Sequence, residues 1–280
     1  MYVYQLNNWL SFVFTFINAF LLYRQDGGYS SYQWSMYLIV TFLLIRLCLF
    51  LIGWLSFCLL SLTIRLDKEY EKPSKFYNWV FYQGYAAACA LARIHVHASG
   101  LEQIPKNSRF MLVSNHLSKF DNMIQGALIR GNCIAYVSKI ENFKIPMGRH
   151  YMVRGCYLAL DRGNVKSAIE TIEKATELVK EGTVSIGIFP EGTRSVTGEL
   201  GEFKPGCFKI ATKSGCPVVV CAMRGTENIH KRWLWKWTDV YCDVLKVFTS
   251  EELAGKKTVE ISDTVHSMLS QFLTTGEAAV

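Results

Sequence analysis

The chain has 280 residues, enough for one large α/β domain and a smaller appendage. Half of the residues are hydrophobic and 14% are aromatic, which is too apolar for an ordinary soluble domain, and the excess lies mostly in the first ~90 residues. The net charge of +7 suits an anionic partner such as lipid headgroups or a phosphorylated substrate. The sequence has no Arg/Gly-rich tract or other nucleic-acid signature, which argues against a nucleic-acid partner.

The first apolar run, Trp9 to Leu22, is interrupted only by Ser11, Thr15 and Asn18. As a helix it would span roughly 21 Å, which is shorter than the ~30 Å hydrocarbon core of a bilayer. It is therefore predicted to be either an interfacial helix or one half of a hairpin. No small-residue cleavage site follows it, so a cleaved signal peptide is not expected.

The second apolar run, Tyr37 to Leu62, is long enough to span a membrane, although Arg46 interrupts it. Lys and Arg residues follow it, mixed with acidic residues, and the positive-inside rule makes that flank cytoplasmic. We predict a membrane hairpin with both ends in the cytoplasm; a helix pair lying in one leaflet is the alternative. Residues 1–75 are interpreted as membrane-anchoring helices, and residues 76–280 as an α/β domain that faces the cytoplasm.

The second domain is predicted to alternate strands with helices after a helix from Phe76 to Arg93. Strands are expected near residues 94–98, 109–114, 133–138, 156–160, 183–189, 217–222 and 240–248. The clearest helix runs from Asn164 to Lys180, with one apolar stripe made of Val165, Ala168, Ile169, Ile172, Ala175 and Val179. A second amphipathic helix is expected from about Val259 to Leu273. This alternation predicts an α/β fold with a mixed, largely parallel sheet flanked by helices.

The nine cysteines form no Cys-x-x-Cys pair and have no histidine at ligand spacing. Several lie inside apolar runs. Buried, reduced thiols in a cytosol-facing protein are therefore favoured over disulfides or zinc ligands.

A first candidate for chemistry is the segment from Asn115 to Asp121, which follows a predicted strand. His116 and Asp121 would lie about 140° apart on a continuous helix, so they cannot share one of its faces. They can meet if His116 lies in a turn and Asp121 opens the next helix. That arrangement would give a general base with an orienting carboxylate. The alternative is that the histidine satisfies a turn and the aspartate is only an N-cap.

A second candidate is the segment 189–195, Phe-Pro-Glu-Gly-Thr-Arg-Ser, which comes at the end of another predicted strand. Gly192 permits a tight turn, Thr193 offers a hydroxyl, and Arg194 can bind a phosphate through its guanidinium fork. Lys204 adds a second cation before a helix expected near Gly206. Loops at the carboxyl ends of parallel strands are where α/β sheets bind ligands.

Together the two segments resemble the glycerolipid acyltransferases, and most closely the 1-acylglycerol-3-phosphate (lysophosphatidate) acyltransferases. The resemblance covers roughly residues 94–250. Two intermediate blocks are also similar to those of the family: Lys139-x-Glu141 with Pro146, Gly148, Gly155 and Arg162, and Cys216 to Val220. The last block has Val220 where a second proline is common.

The resemblance implies that His116 takes the proton from the sn-2 hydroxyl of a lysophospholipid, while Asp121 orients the imidazole. The hydroxyl would attack the thioester of acyl-CoA or acyl-carrier protein and form phosphatidate, with no cofactor and no metal. Arg194 is the leading phosphate ligand. The other implied substrate-binding residues are Lys139, Arg162, Glu191, Gly192, Thr193 and Lys204. Glu191 is expected to order the loop or bind the glycerol rather than act as a base.

Two alternative functions remain open at this point. The first keeps the chemistry and changes the acceptor to glycerol 3-phosphate, another lysophospholipid or a lyso-aminolipid. The second is a catalytically inactive, membrane-anchored lipid-binding protein, which would be expected to carry a damaged His/Asp pair or arginine loop. Both segments are intact in this sequence.

Three further features receive other interpretations. Ser114 and Ser118 lie near His116, but no Gly-x-Ser-x-Gly elbow accompanies them. His95-x-His97 alternates along a predicted strand and resembles a metal pair, but it lacks a third ligand, so strand packing is favoured. The segment 230–237 mixes tryptophans with Lys and Arg, which suits a membrane interface with anionic lipid; strand-edge packing is equally compatible.

Overall fold

The computed structural model describes residues 2–25, 31–129, 131–195, 197–232 and 236–276, which divide into two compact units. The first unit ends at Thr63 and the second begins at Ile64. The sequence-based boundary at residue 75 therefore lies inside the second unit. Contacts of residues 64–75 explain this: the Arg154 guanidinium lies 4.5 Å from the centre of the Tyr70 ring and donates to the Lys72 carbonyl at 2.7 Å.

The first unit is a pair of helices, α1 (Tyr2–Gln25) and α2 (Ser31–Leu62). The two helices pack antiparallel: the rings of Phe12 and Phe42 are 4.8 Å apart, and the Tyr37 hydroxyl donates to Asn18 Oδ1 at 2.6 Å. The first apolar run is therefore half of a hairpin, and its helix continues into the polar residues on both sides. By length and composition, α2 could cross a membrane over Tyr32–Leu62.

Two hydroxyl groups inside α1 form hydrogen bonds within the helix itself. Ser11 Oγ donates to the Asn7 carbonyl and Thr15 Oγ1 to the Ser11 carbonyl, both at 2.7 Å. This local bonding lets hydroxyls enter an apolar medium at low cost. Large apolar side chains such as Trp9 and Phe16 are exposed, and a continuous apolar surface of this kind is compatible with contact to lipid.

The second unit contains a seven-stranded sheet within the described residues. The strands are β1 (Ile94–Ser99), β2 (Met111–Ser114), β3 (Ile134–Lys139), β4 (Leu158–Leu160), β5 (Ser185–Ile188), β6 (Val218–Arg224) and β7 (Thr238–Phe248). Their order is β1-β7-β6-β2-β5-β3-β4, and only the β6–β7 pair is antiparallel. The mixed, largely parallel α/β fold predicted from the sequence is confirmed.

Helices cover the sheet. They are α3 (Lys75–Leu91), α4 (Asp121–Leu128), α5 (Gly148–Arg154), α6 (Val165–Lys180), α7 (Lys209–Ser214), α8 (Ile229–Arg232), α9 (Ser250–Leu253) and α10 (Thr258–Thr275). Asn164 is the N-cap of α6, because its Oδ1 accepts from the Ser167 N–H at 3.2 Å. The chain near Gly206 forms a 3₁₀ turn, Pro205–Phe208, before α7 begins. Helix α5 was not predicted, because its seven residues are only about two helical turns and too few to show an amphipathic repeat.

The apolar stripe of α6 does not face one environment. Ala175 and Val179 are buried, as a core stripe requires, but Val165 is 76% exposed and Ile169 is 50% exposed. Both exposed residues line a large cavity. The first half of the stripe is therefore a cavity wall, which periodicity alone cannot distinguish from a core-facing surface.

The sheet brings the two conspicuous segments together. Strands β2 and β5 are parallel neighbours with Leu112 opposite Gly187, and both are buried along their length. The carboxyl ends of two parallel neighbours lie at the same edge of a sheet. Residues 115–121 follow β2 and residues 189–195 follow β5, so two segments far apart in sequence meet there.

All nine cysteines are free thiols. Six are buried, Cys58 and Cys133 are half-buried, and Cys48 is exposed on α2. The expectation of buried thiols is thus wrong for Cys48, because an apolar run on a hairpin helix need not face a protein core.

The tryptophan-rich segment is only partly described, since residues 233–235 lie outside the described ranges. Before them, α8 ends in three basic residues, and after them Trp237 is 58% exposed. The Arg93 guanidinium lies 5.2 Å from the centre of the Trp237 ring. This exposed basic and aromatic surface is compatible with the predicted interfacial role.

Candidate active site

The His116–Asp121 pair has the geometry that the spacing suggests. Asp121 is the first residue of α4 and is fully buried. Its Oδ2 accepts from His116 Nδ1 and from the backbone N–H groups of Leu117 and Ser118, each at 2.8 Å. A carboxylate can only accept, so Nδ1 carries the proton and Nε2 presents its lone pair. The turn thus holds an imidazole in the tautomer that a general base needs.

Neither nearby serine competes for the imidazole. Ser114 Oγ donates to the Asn115 carbonyl at 3.2 Å, and Ser118 Oγ accepts from the Phe120 N–H at 3.3 Å. Both hydroxyls therefore serve the backbone of the turn. This arrangement agrees with the absence of a nucleophile elbow in the sequence.

An aromatic stack fixes the plane of the histidine ring. The Phe189 ring lies parallel to the imidazole, with centroids 4.1 Å apart and an interplanar angle of 14°. Tyr136 continues the stack on the other side, 6.1 Å from Phe189, and its hydroxyl donates to Gln125 Oε1 at 3.0 Å. This stack was not predicted, because no local pattern links Phe189 to a turn more than seventy residues earlier.

Glu191 ties the loop after β5 to the turn after β2. Its Oε1 accepts from the His116 N–H at 2.6 Å, and its Oε2 accepts from the Gly201 N–H at 2.9 Å. In return the Ser195 N–H donates to the His116 carbonyl at 2.8 Å. Burial raises the pKa of Glu191 above its usual range, although the N–H groups of Gly201 and His116 oppose the shift. The structure agrees with an ordering role for this carboxylate.

We expect Glu191→Gln to destabilise the fold. The amide can offer one acceptor oxygen to the two backbone donors, and its NH₂ group must face the other N–H. Leaving a buried donor unsatisfied costs about 1–3 kcal/mol. A lowered unfolding temperature in detergent, with a lower kcat from the loosened His116, is the expected result. Glu202→Gln is the matched control because Glu202 is exposed on the same loop; an equal shift in both variants would contradict this role.

Asn115 anchors the other end of the turn. Its Nδ2 donates to the Met223 carbonyl at 2.9 Å, and its Oδ1 accepts from the Met223 N–H at 2.8 Å. The buried side-chain amide thus replaces one backbone pair between β2 and β6. His116 is consequently held from both sides of its own segment.

The site opens into a cavity of about 740 Å³. Of the residues named from the sequence, the cavity is lined by His116, Lys139, Arg162, Gly192, Thr193, Arg194 and Lys204. Asp121 lies behind His116, and Glu191 is buried within the loop. Lys119, Lys209 and Lys213 also line the cavity and were not predicted. The cavity thus unites a base with a cluster of cations.

The loop between β5 and α7 shapes the cationic part of the cavity. Gly192 has φ +70°, a conformation that favours glycine, and a Cβ added there would lie 3.2 Å from Lys204 Nζ. Lys139 is paired with Glu141 at 3.0 Å. Arg194 is exposed, and within the described ranges no hydrogen bond or ion pair engages its guanidinium. Arg194 is therefore available to an anion.

Several other residues that line the cavity are apolar or aromatic. Its wall includes Phe81 and Tyr85 of α3, Tyr136 of β3, Tyr157 and the exposed face of α6. Burial raises the pKa of the Tyr85, Tyr136 and Tyr157 phenols, so these groups stay neutral. Only a helix was predicted from Phe76 to Arg93, so the contribution of α3 to the cavity was not foreseen. A cavity lined by both cations and apolar side chains suits an amphiphilic ligand.

Comparison with known proteins finds sequence similarity to acyltransferases. The Acyltransferase family profile matches residues 95–224. A chloroplast 1-acyl-sn-glycerol-3-phosphate acyltransferase of Brassica napus is 40% identical over 131 residues, 46% of this chain and 37% of that protein. The 1-acyl-sn-glycerol-3-phosphate acyltransferase of Saccharomyces cerevisiae is 28% identical over 180 residues, 63% of this chain and 59% of that protein. The chain thus spans roughly two fifths to three fifths of these two relatives.

A solved structure shares the fold. The crystal structure of the 1-acyl-sn-glycerophosphate (LPA) acyltransferase from Thermotoga maritima superposes with a TM-score of 0.62 at 25% identity. The superposition covers 81% of this chain and 90% of that chain. Residues 95–224 are thus similar in sequence to the acyltransferase family, and the chain shares its fold with the Thermotoga maritima protein.

Proposed function

We propose that the protein transfers an acyl chain from an acyl thioester to the sn-2 hydroxyl of 1-acylglycerol 3-phosphate, forming phosphatidate. The observation that carries the proposal is the His116–Asp121 pair at a cavity lined by both cations and apolar side chains. Lysophosphatidate carries matching groups, a phosphate and a hydrocarbon chain. The relatives and the Thermotoga maritima protein, named for this activity, support the choice.

His116 acts as the general base. Nε2 takes the proton of the acceptor hydroxyl as its oxygen attacks the thioester carbonyl, and Asp121 stabilises the imidazolium that forms. The tetrahedral intermediate collapses with loss of the thiolate, which recovers the proton from the imidazolium. The acceptor oxygen is the nucleophile, so no acyl-enzyme forms and neither a metal nor a cofactor is required. Acyl-CoA or acyl-carrier protein is the proposed donor.

The cations of the cavity place the acceptor phosphate. Arg194 offers a guanidinium fork that matches two phosphate oxygens, and Lys204 lies beside the Gly192 turn. Lys139 and Arg162 extend the positive charge along the cavity, and Thr193 can donate its hydroxyl. Holding the phosphate this way would fix the sn-2 hydroxyl near His116. Such positioning increases the rate of acyl transfer more than tight binding alone would.

We expect Arg194→Ala to lower kcat/KM for lysophosphatidate about 10–100-fold, mainly through KM, because a hydrogen bond to a charged group contributes about 1.5–3 kcal/mol. Acyl transfer to a monoacylglycerol, which lacks the phosphate, should change little. Arg149→Ala is the matched control because Arg149 is exposed and does not line the cavity. An equal loss with both acceptors would contradict a role in phosphate binding.

The apolar parts of the chain are proposed to meet lipid. The wall formed by α3 and α6 is suited to a hydrocarbon chain, and the α1–α2 hairpin is suited to membrane anchoring. Membrane phospholipid and lysophospholipid are therefore the expected partners. The basic residues after α2 support a cytoplasmic position for the catalytic domain.

A second candidate function uses the same residues on glycerol 3-phosphate or another phosphate-bearing lysolipid. The observation in its favour is that Arg194 and Lys204 would recognise a phosphate, which these acceptors share. Purified protein with acyl-CoA and a panel of acceptors, including a lyso-aminolipid, decides by kcat/KM. The highest value for lysophosphatidate is expected. A higher kcat/KM for another acceptor would make that acceptor the assigned substrate. Lipid binding without turnover of any acceptor would indicate an inactive lipid-binding protein.

A further inference from the structure

The edge strand β1 carries two histidines that gain a carboxylate neighbour in the fold. His95 and His97 lie two residues apart on one face of β1. The parallel pairing with β7 sets His95 opposite Asp239 and His97 opposite Tyr241. In the sequence, the histidine pair has no third ligand nearby, and strand packing was the favoured interpretation. Asp239, 142 residues after His97, supplies it.

Distances within this cluster are those of a nearly assembled metal site. His97 Nε2 lies 2.9 Å from Asp239 Oδ1, and His95 Nδ1 lies 3.3 Å from the same oxygen. The three ligand atoms all lie within 4.8 Å of one another. Ligand atoms around a tetrahedral zinc ion are roughly 3.3 Å apart, because each lies about 2.0–2.1 Å from the metal. Small side-chain rotations would close the remaining gap.

The three side chains of this cluster are accessible to an ion from solvent, and the His97 ring is held in place by a neighbouring ring. The side chains of His95, His97 and Asp239 are 66%, 42% and 54% exposed, so strand packing does not explain them. The His97 ring stacks on Tyr241 with centroids 4.8 Å apart, and the Arg224 guanidinium lies 5.0 Å from the centre of the Tyr241 ring. Exposed His–Asp pairs by themselves stabilise a fold very little.

We propose that His95, His97 and Asp239 form a surface site for a divalent transition-metal ion of the zinc class. Two imidazole nitrogens and one carboxylate oxygen suit Zn²⁺, Ni²⁺ or Cu²⁺, whereas Mg²⁺ and Ca²⁺ prefer oxygen ligands. A bound ion would cross-link the edge strand β1 to β7 and leave a coordination position for water. None of the three residues lines the cavity, so the site is independent of acyl transfer.

Metal binding is tested on the full chain in detergent after removal of any histidine tag. Zn²⁺ is titrated against a chromophoric zinc indicator for the wild type and for His95→Ala, His97→Ala and Asp239→Ala. We expect one saturable zinc per chain and an affinity at least about tenfold lower in each variant, since even outer ligands contribute that much. His230→Ala is the matched control, an exposed histidine on α8. Equal affinity in wild type and Asp239→Ala overturns the proposal.

Two further measurements separate this site from the cysteines. Co²⁺ should give a visible d–d spectrum without a sulfur-to-metal charge-transfer band, and such a band would mean that thiols bind the ion. Zn²⁺ should raise the unfolding temperature of the wild type but not of Asp239→Ala, because the ion joins β1 to β7. An equal rise in unfolding temperature for both proteins, or no saturable binding to the wild type, would overturn the proposal. Asp239 would then form only surface ion pairs with His95 and His97.

Discussion

His116→Ala should lower kcat for acyl transfer about 10²–10⁴-fold, the usual contribution of a positioned general base. KM for the acceptor should change little, because Arg194 and Lys204 would still hold the phosphate. The fold should survive, since Asp121 keeps the N–H groups of Leu117 and Ser118 as donors after the imidazole is removed. Steady-state release of CoA with purified protein, together with the unfolding temperature, measures both effects.

His230→Ala provides the control for a histidine outside the cavity and should retain wild-type kcat. Added imidazole should partly restore the activity of His116→Gly, because the cavity beside the missing ring can admit a small base. A structural role for His116 would give no such rescue. Full activity in folded His116→Ala would exclude the proposed mechanism.

The fold was largely predictable because its elements carry local signals. Alternating and apolar runs placed all seven strands within about two residues of their observed bounds. The His116–Asp121 contact was one of two arrangements that the local sequence allowed, the other being an aspartate that only caps the helix. The meeting of residues 115–121 with residues 189–195 needed only adjacent parallel strands, which the sheet provides.

Tertiary contacts between residues far apart in the chain could not be predicted from the sequence. Phe189 stacks on His116, and Glu191 holds the His116 N–H, only because β2 and β5 are neighbours. The apolar stripe of α6 has the pattern of a core-facing surface, and only the structure shows that its first half lines a cavity. Asp239 joins the His95–His97 pair for the same reason, because strand order rather than spacing decides it. Tertiary contacts of this kind have no local signal.

Asp121→Asn should lower kcat about 10–10³-fold, the usual effect of removing one neighbouring charge. This range lies below the about 10²–10⁴-fold loss expected for His116→Ala. The Asn carbonyl can replace Oδ2 and keep the three hydrogen bonds, with its NH₂ group at the position of Oδ1, which has no partner among the described residues. Two backbone donors thus hold the amide in the orientation that preserves the Nδ1–H tautomer. What disappears is the negative charge that stabilises the imidazolium formed when His116 takes the proton.

Asp121→Ala makes the comparison decisive, because it removes the charge and all three accepted hydrogen bonds together. We expect Asp121→Ala to lose both kcat and thermal stability, whereas Asp121→Asn keeps a near-native unfolding temperature and loses only kcat. If Asp121 served only to hold the backbone of the turn, the Asn variant would retain full activity, since its carbonyl can accept from the same N–H groups of Leu117 and Ser118. A fall in kcat for Asp121→Asn at unchanged stability is therefore the result that separates a carboxylate that assists His116 from one that only anchors the turn.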